Sequence, residues 1–551
     1  MKIKKKIFLY MCSAALLTMG GCTKKFDSIN TDPTKANGTQ FDPNLLLSSE
    51  QEEYINATTG YSGALLLQSM WVQILSSAAY PSYYSNGDKY VASGNLNSYD
   101  ASLWNHCYNS ASYAFECQNL IKDKPGLSNL GGISLIVELM DFMTLTDTYG
   151  DIPYTQALQA KTGGLLPVYD AQQSIYTSIL AKLDSVLPTL DATKAIPTND
   201  LFPYAKDADA ATYIAHWKKF GYSLMLRMAM RLTKADAATA QKYAEKAYAG
   251  GTFANTTDDA YITFDHTDNY NNNNTSAYQT AEDFSEVKWS ASVISLLKAV
   301  GDPRLAVIAE VPQAGKKAAA NESLAGDATP ANQLGMPNGY DQLGAATDIS
   351  KAPGYPGPTD TASPPNPLSA QYYAVGKYSR PAIGEYISLN TPAFIINYAE
   401  TELLLAEAAA RGWSVGASAS VHYANGLTAA LTSYGTLSAY GVINPATIGT
   451  YVATHPLITT SLDVELAQIN TQYWLTTGTL FDFDEAWTNW RRSGYPVLTP
   501  VNYAGNFTGG TIPRRQAYPS TEPQTNPTNY QSAVGKLSGG DLYSSRIWWD
   551  K

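Results

Sequence analysis

Six residues in one short stretch carry most of the chemistry visible in this chain: Tyr80, Tyr83, Tyr84, Asn86, Asp88 and Tyr90. A tyrosine ring is apolar with a polar tip, so it is favoured where one side is wet. Such rings stack on the C–H faces of sugars, while amides and carboxylates bond the hydroxyls. The same loop could instead pack onto a partner protein. Tyr270, Tyr278 and Trp289 lie in or beside a later irregular stretch and are the rings expected to converge with the first loop. The chain holds 39 tyrosines and 10 tryptophans against 14 phenylalanines, a bias toward rings that keep a polar handle.

Catalytic and metal-binding patterns are weaker. Asp482, Asp484 and Glu485 offer carboxylates near aromatics, as a glycoside hydrolase needs when two carboxyls flank its substrate. Capping of a helix that starts just before Ala486 explains them more simply. Asp258, Asp259, Asp265 and Asp268 could hold calcium but lack the ligand spacing of a calcium loop. His106, His216, His266, His422 and His455 are scattered, without zinc spacing. With no nucleophile elbow or phosphate loop, the reading assigns no catalytic residue, metal or cofactor.

These residues must be positioned by helices. In TPAFIINYAETELLLAEAAARGW, residues 391–413, Thr391 can cap, Pro392 suits the first helical position and Gly412 can terminate in the left-handed conformation. The spacing makes this one helix, apolar on two faces, with Glu400, Glu407 and Arg411 in a strip between them that reads as structural. A helix of that kind has neighbours on both sides. Helical patterns also cover residues 45–76, 99–122, 133–148, 171–187, 211–232 and 237–249. Alanine-rich pairs such as 237–249, and 391–413 with 417–434, resemble tetratricopeptide repeats without a fixed period. The predicted fold is therefore mainly α: tetratricopeptide-like helix pairs in an α-superhelix, interrupted by long irregular insertions at about 253–284 and 325–386.

The 551 residues include 37 basic and 48 acidic ones. The first 22, MKIKKKIFLYMCSAALLTMGGC, run from a basic region through a short apolar one to Gly-Gly-Cys. This resembles the lipobox of bacterial lipoproteins, with residues 1–21 removed, Cys22 acylated, residues 22–42 forming a tether and strap, and residues 43–551 a single helical domain. Loss of Lys2, Lys4, Lys5 and Lys6 leaves 33 basic against 48 acidic residues, a net charge of −15 that disfavours nucleic acid. No later stretch reads as a membrane span. Cys107 and Cys117, ten residues apart on one expected helix, are about 15 Å apart, too far for a disulfide.

Several motifs carry a family resemblance. DTYGDIPYTQAL from Asp147, GDPRL from Gly301, GMPNG from Gly335, AEAAARGW from Ala406, EAWTNWRRSGYPVL from Glu485, IPRRQAYPSTE from Ile512 and the terminal GGDLYSSRIWWDK resemble SusD/RagB-family outer-membrane lipoproteins in composition and order. The resemblance implies a lipid-anchored protein facing the cell exterior. It would bind oligosaccharides and deliver them to a SusC-like TonB-dependent outer-membrane transporter. The RagB branch implies a peptide ligand instead, and an α-helical glycoside hydrolase is the alternative of another class. In the family, Trp487, Trp490, Arg491, Arg492, Arg514, Arg515 and Tyr518 belong to the scaffold, and the loop between early helices often contributes to binding. The Gly-Gly-Cys order generates the first prediction. Intact mass of the membrane-extracted protein should match a chain starting at Cys22 plus acyl chains; a chain retaining earlier residues, or lacking acyl mass, contradicts it.

Overall fold

Apolar faces at helical spacing, closed by polar caps, generate most of the molecule. The computed structural model describes residues 41–78, 83–92, 94–278, 286–312, 325–359 and 374–551. Cys22 and Tyr80 lie outside these residues. The longer helices begin with α1 (Asn44–Thr58), α2 (Leu96–Ile121), α3 (Ser128–Tyr149), α4 (Gln172–Val186), α5 (Ala210–Arg231) and α6 (Ala237–Gly250), each packed on the next. After α7 (Ala291–Ala299) come α8 (Tyr398–Ala410), α9 (Ala419–Thr432), α10 (Pro445–Thr454), α11 (Leu462–Thr479) and α12 (Phe483–Ser493). Here α8 packs on both α9 and α11, and α11 on α12. Residues 44–551 form one compact unit, mainly α.

Short strands join segments that are distant in sequence. They are β1 (Leu75–Ser76), β2 (Ile152–Pro153), β3 (Tyr169–Asp170), β4 (Ala260–Ile262), β5 (Lys288–Trp289), β6 (Ala309–Glu310), β7 (Arg380–Pro381) and β8 (Ala393–Ile396). All pair antiparallel, as β1–β5, β2–β3, β4–β8 and β6–β7.

Three sequence expectations are corrected. Residues 391–413 are not one helix: Ala-Phe-Ile-Ile forms β8, fully buried, and Asn397 rather than Thr391 caps α8 by accepting from the Glu400 N–H at 2.8 Å. An aromatic and β-branched run beside a partner strand stays extended, and a good cap four residues later restarts the chain as helix. Gly412 does end it, with φ of +80°. Residues 45–76 break at Thr58, where Gly60 takes φ of +79°, and continue as a π-turn, Tyr61–Leu65, a short helix, Gln68–Trp71, and β1. The loop expected at 80–90 contains a helix, Tyr83–Lys89. The helical stretch Pro125–Tyr149, moreover, is long and apolar enough to cross a membrane, yet mostly buried among its neighbours.

Buried charges tie the two helix groups together. On α5, Arg227 grips Glu400 of α8 through Nε and Nη2 at 2.5 and 2.6 Å, and Arg231 bonds Asp147 of α3 and Glu485 of α12. The strip on α8 is structural, as expected: Glu407 pairs with Arg411 and, bidentately at 2.7 Å, with Arg492 of α12. Against burial, which pushes Glu407 up, Arg492 and Arg411 hold it well below its ordinary range.

The C-terminal segment docks on α2 and α3. Tyr543 donates to the Asp100 carboxylate and Tyr149 to the Asp100 carbonyl, while Asp100 Oδ1 is buried without a partner. Burial pushes Asp100 up to about 8, the Tyr543 donor notwithstanding. A carboxyl that binds its proton more tightly in the folded state gives stability that is complete below its unfolded pKa, about 3.9. That stability is lost as pH rises from there through about 8. The Asp100→Asn variant should flatten the fall in urea-unfolding free energy between pH 5 and 8. A slope equal to wild type contradicts the assignment.

Candidate functional site

The rings and polar groups expected to bind ligand divide into a sealed floor and a surface. Trp289 sits on β5 opposite Leu75 of β1 and is fully buried. Its Nε1 donates to the Ile308 carbonyl at 2.9 Å, and its ring packs on Tyr386 and Phe481 at 5.9 and 6.0 Å. Tyr278 ends a short helix, Asn273–Tyr278, and lies buried 5.7 Å from Phe481. Tyr84 is buried against Tyr61 at 6.1 Å; burial pushes its phenol well up, and Tyr278 and Glu286 push it further. These rings do converge, but inside the molecule.

Asp88 and Tyr90 are also structural. Asp88 accepts from the Gly339 N–H at 2.7 Å and the Asn338 amide at 2.6 Å, and pairs with Lys89 at 3.3 Å. Lys89 Nζ also donates to the Ser77 carbonyl and Ser85 Oγ, and lies 5.8 Å from the Tyr503 ring centre. Burial pushes the Asp88 carboxyl up and the Lys89 amine down, each opposed by the other's charge. The Tyr90 carbonyl accepts from the Phe507 N–H at 2.8 Å. What reads as a solvent loop is a staple between the start, middle and end of the chain. Of the expected site residues, Asn86 and Tyr270 are half-buried, and Tyr83 opens its helix. Tyr270 packs 4.9 Å from Phe264 on a turn of its own.

The ends of the insertions gather in one place. Ala78, Met336, Ile349, Ala352, Val375 and Tyr378 form a buried cluster, and the half-buried Tyr340 and Tyr355 pack against it. Ser77, beside Ala78, donates to Glu286. Gly335 lets the 330s chain lie against α7: a Cβ there would sit 2.3 Å from the Ser290 carbonyl oxygen, and the Met336 N–H bonds the Trp289 carbonyl at 2.8 Å. Tyr340 and Tyr355, in GMPNGYDQL and GYPGPTD, were not singled out from sequence. Their signal was an aromatic beside Gly and Pro inside an insertion already marked as irregular.

The hydrolase carboxylates are committed to the scaffold. Asp482 caps α12, and Glu485 is bonded by Arg231 and, at 2.7 Å, by Tyr473. They border a void of about 10 Å³, room for one water and not for a sugar. The acidic cluster does not assemble either. Asp258 pairs with Lys219 at 2.7 Å, Asp259 accepts from the Tyr398 N–H at 2.6 Å, and Asp265 caps its own turn. Among the described residues no group of three His, Cys, Asp or Glu is placed to hold a metal.

Two open clefts flank α7. One, of about 560 Å³, is lined by Tyr423, Tyr451, His455, Gln468 and Leu475 among others; the second, of about 530 Å³, by Leu297, Leu305, Val307 and Ile443. The second has mostly aliphatic walls, while the first mixes aliphatic side chains with Tyr, His and Gln.

The SusD-like_2 family model, described as starch-binding associating with outer membrane, matches residues 35–519. Among solved structures, a chitin-binding protein is 28% identical, with TM-score 0.74, covering 93% of this chain and 100% of its own. A chitin-binding SusD homolog from Flavobacterium johnsoniae is 22% identical with TM-score 0.71, covering 92% and 98%. A SusD-like protein from Bacteroides thetaiotaomicron is 21% identical with TM-score 0.67, covering 92% and 99%. Comparison with curated proteins finds no match.

The division into floor and surface generates a prediction. Trp289→Ala should destabilise by about 3–5 kcal/mol, as large aromatic truncations in cores do. Tyr340→Ala, at a half-buried position, should cost less than half as much. Denaturant unfolding of both variants measures this, and equal losses would refute the division.

Proposed function

Because the chain belongs to the SusD-like family, we propose that it is a glycan-binding lipoprotein of the outer membrane. In this reading it is acylated at Cys22, faces the exterior and hands oligosaccharides to a SusC-like TonB-dependent transporter. The ligand class is oligomers of β-linked N-acetylglucosamine. The observation that carries this choice is the 28%-identical chitin-binding relative, which aligns over its whole length.

The binding face is the surface above the gathered insertion ends. Tyr340, Tyr355 and Asn86 supply half-buried polar-tipped rings and an amide, and Tyr83 and Tyr80 adjoin them in sequence. Tyr355 is held in place by donating to the Ala374 carbonyl at 2.9 Å. Tyr270 stands on its own turn and is the outlying member of the set. Trp289, Tyr278, Tyr84, Tyr90 and Asp88 support this face from below rather than touching ligand.

Isothermal titration against chitooligosaccharides, maltooligosaccharides and short peptides tests the reading. Binding should be seen with the first. One stacked ring is worth about 1–2 kcal/mol, so Tyr83→Ala and Tyr340→Ala should each weaken binding by about five- to thirtyfold, with thermal melting showing that each variant is still folded at the titration temperature. Peptide binding without sugar binding overturns the ligand class. Loss of binding in Tyr451→Ala, with Tyr83→Ala and Tyr340→Ala unaffected, moves the site to the cleft beside α7.

A further inference from the structure

Residues 342–347 of the second insertion form a built lip on the proposed binding face. The chain leaves the buried cluster at Tyr340 and rejoins it at Ile349. Its neck is closed by backbone bonds from the Asp341 N–H to the Thr347 carbonyl at 2.8 Å and from the Ile349 N–H to the Asp341 carbonyl at 2.7 Å. Side chains fix the rest. The Asp341 carboxylate accepts from the Leu343 N–H at 2.9 Å, from Thr347 Oγ1 at 2.6 Å and from the Tyr503 hydroxyl at 2.7 Å, and Asp348 accepts from the Gly344 N–H at 2.8 Å. The place of the lip is fixed too. Just before it, Asn338 and the Gly339 N–H bond Asp88 on the helix Tyr83–Lys89, and Lys89 lies 5.8 Å from the ring centre of Tyr503. The lip therefore stands beside the helix that carries Tyr83 and Asn86, with Tyr340 at its base.

This bonding leaves two side chains over. Gln342 is half-buried, and its amide nitrogen is withdrawn from water without an acceptor. Its neighbour Leu343 is 57% exposed, although its own N–H and that of Gly344 are both bonded. A single exposed leucine is ordinary on a surface. What singles this one out is the orphan donor beside it, on a loop whose backbone is fixed. An amide N–H without an acceptor costs free energy that an arriving acceptor relieves. The last torsion of a glutamine is broad, so rotation of the carboxamide turns that N–H toward a ligand without moving the lip. The surplus is specific in kind: a donor lacking an acceptor next to an aliphatic group lacking a cover. An acetamido group carries the complement of both on one carbon, a carbonyl oxygen and a methyl. Glucose has only a hydroxyl at the same position.

We infer that the lip reads the acetamido group of the sugar: Gln342 donates to its carbonyl oxygen and Leu343 covers its methyl, while Tyr340 stacks on the ring. The inference rests on the glycan reading above and adds to it the residues that separate N-acetylglucosamine from glucose. Stacking alone does not make that distinction, because both sugars present the same C–H faces. A donor placed for one substituent does, since the sugar lacking that substituent leaves the donor unpaired.

Isothermal titration of the full-length protein with chitohexaose and cellohexaose tests it, because the two sugars share backbone and linkage and differ only in the acetamido group. Wild type should bind chitohexaose more tightly, by about tenfold or more. Gln342→Met keeps the length of the side chain and removes the amide; it should weaken chitohexaose by about five- to tenfold and change cellohexaose by less than about twofold. Leu343→Ser, at an exposed position, should weaken chitohexaose by about three- to fivefold. Ala346→Ser, exposed on the same lip, should change neither sugar. Thermal melting shows that each variant is folded at the titration temperature. Wild-type affinity for chitohexaose in both Gln342→Met and Leu343→Ser overturns the inference and leaves the glycan reading standing. Equal losses for the two sugars do the same, since the lip would then touch the backbone of the sugar rather than its acetamido group. A wild-type protein that binds no chitohexaose overturns the ligand class and the inference together.

Discussion

Two arginines one turn apart on α5 hold the architecture together. Arg227 and Arg231 reach acids contributed by α3, α8 and α12, partners 84, 173 and 254 residues away in sequence. Taking such charges out of water costs several kcal/mol each, and only close, multiply bonded geometry offsets it. The geometry here is of that kind, with Tyr473 and Tyr176 donating to the remaining oxygens of Glu485 and Asp147 at 2.7 and 2.5 Å. Against burial, which pushes it up, Arg231 and Arg227 hold Glu485 below its ordinary range. The surplus acids answer differently: burial pushes Asp484 up to about 7 and Asp482 well up.

This centre explains how a helical frame carries long irregular segments. Arg491 lies 3.5 Å from the Trp487 ring centre and 4.9 Å from that of Trp549, and Arg515 bonds the Tyr149 carbonyl and Asp541. The motifs near the C-terminus therefore close the frame. With the frame closed, the small strand pairs and the Asp88–Asn338 bond fix the ends of the insertions to it.

The helices, the role of Glu407 and the end of α8 at Gly412 were legible because each rests on local spacing. The boundary at Thr391 was not, since a cap and a first-turn proline are compatible with the sequence, while β8 exists only because β4 lies beside it. The ring types expected to bind ligand were legible, and their burial was not. Sequence shows that Trp289 and Tyr84 have polar tips but not that Trp289 satisfies its own inside, on the Ile308 carbonyl. A ring that binds sugar and one that fills a seam have the same composition around them. That Tyr340 and Tyr355 stay half-buried over a buried cluster was visible only in the structure.

Cys107 and Cys117 are both fully buried along α2, and burial pushes both thiols up, Cys117 to about 12. Thiolate is the form that attacks a disulfide, so in the native protein neither sulfur is a useful nucleophile. The unfolded chain lacks that protection. In any oxidising compartment, an unfolded α2 would offer two thiols without that protection to disulfide formation. Burial of one helix then sets a race between folding and oxidation, and a chain that packs α2 late would arrive cross-linked, either to itself or to a neighbour.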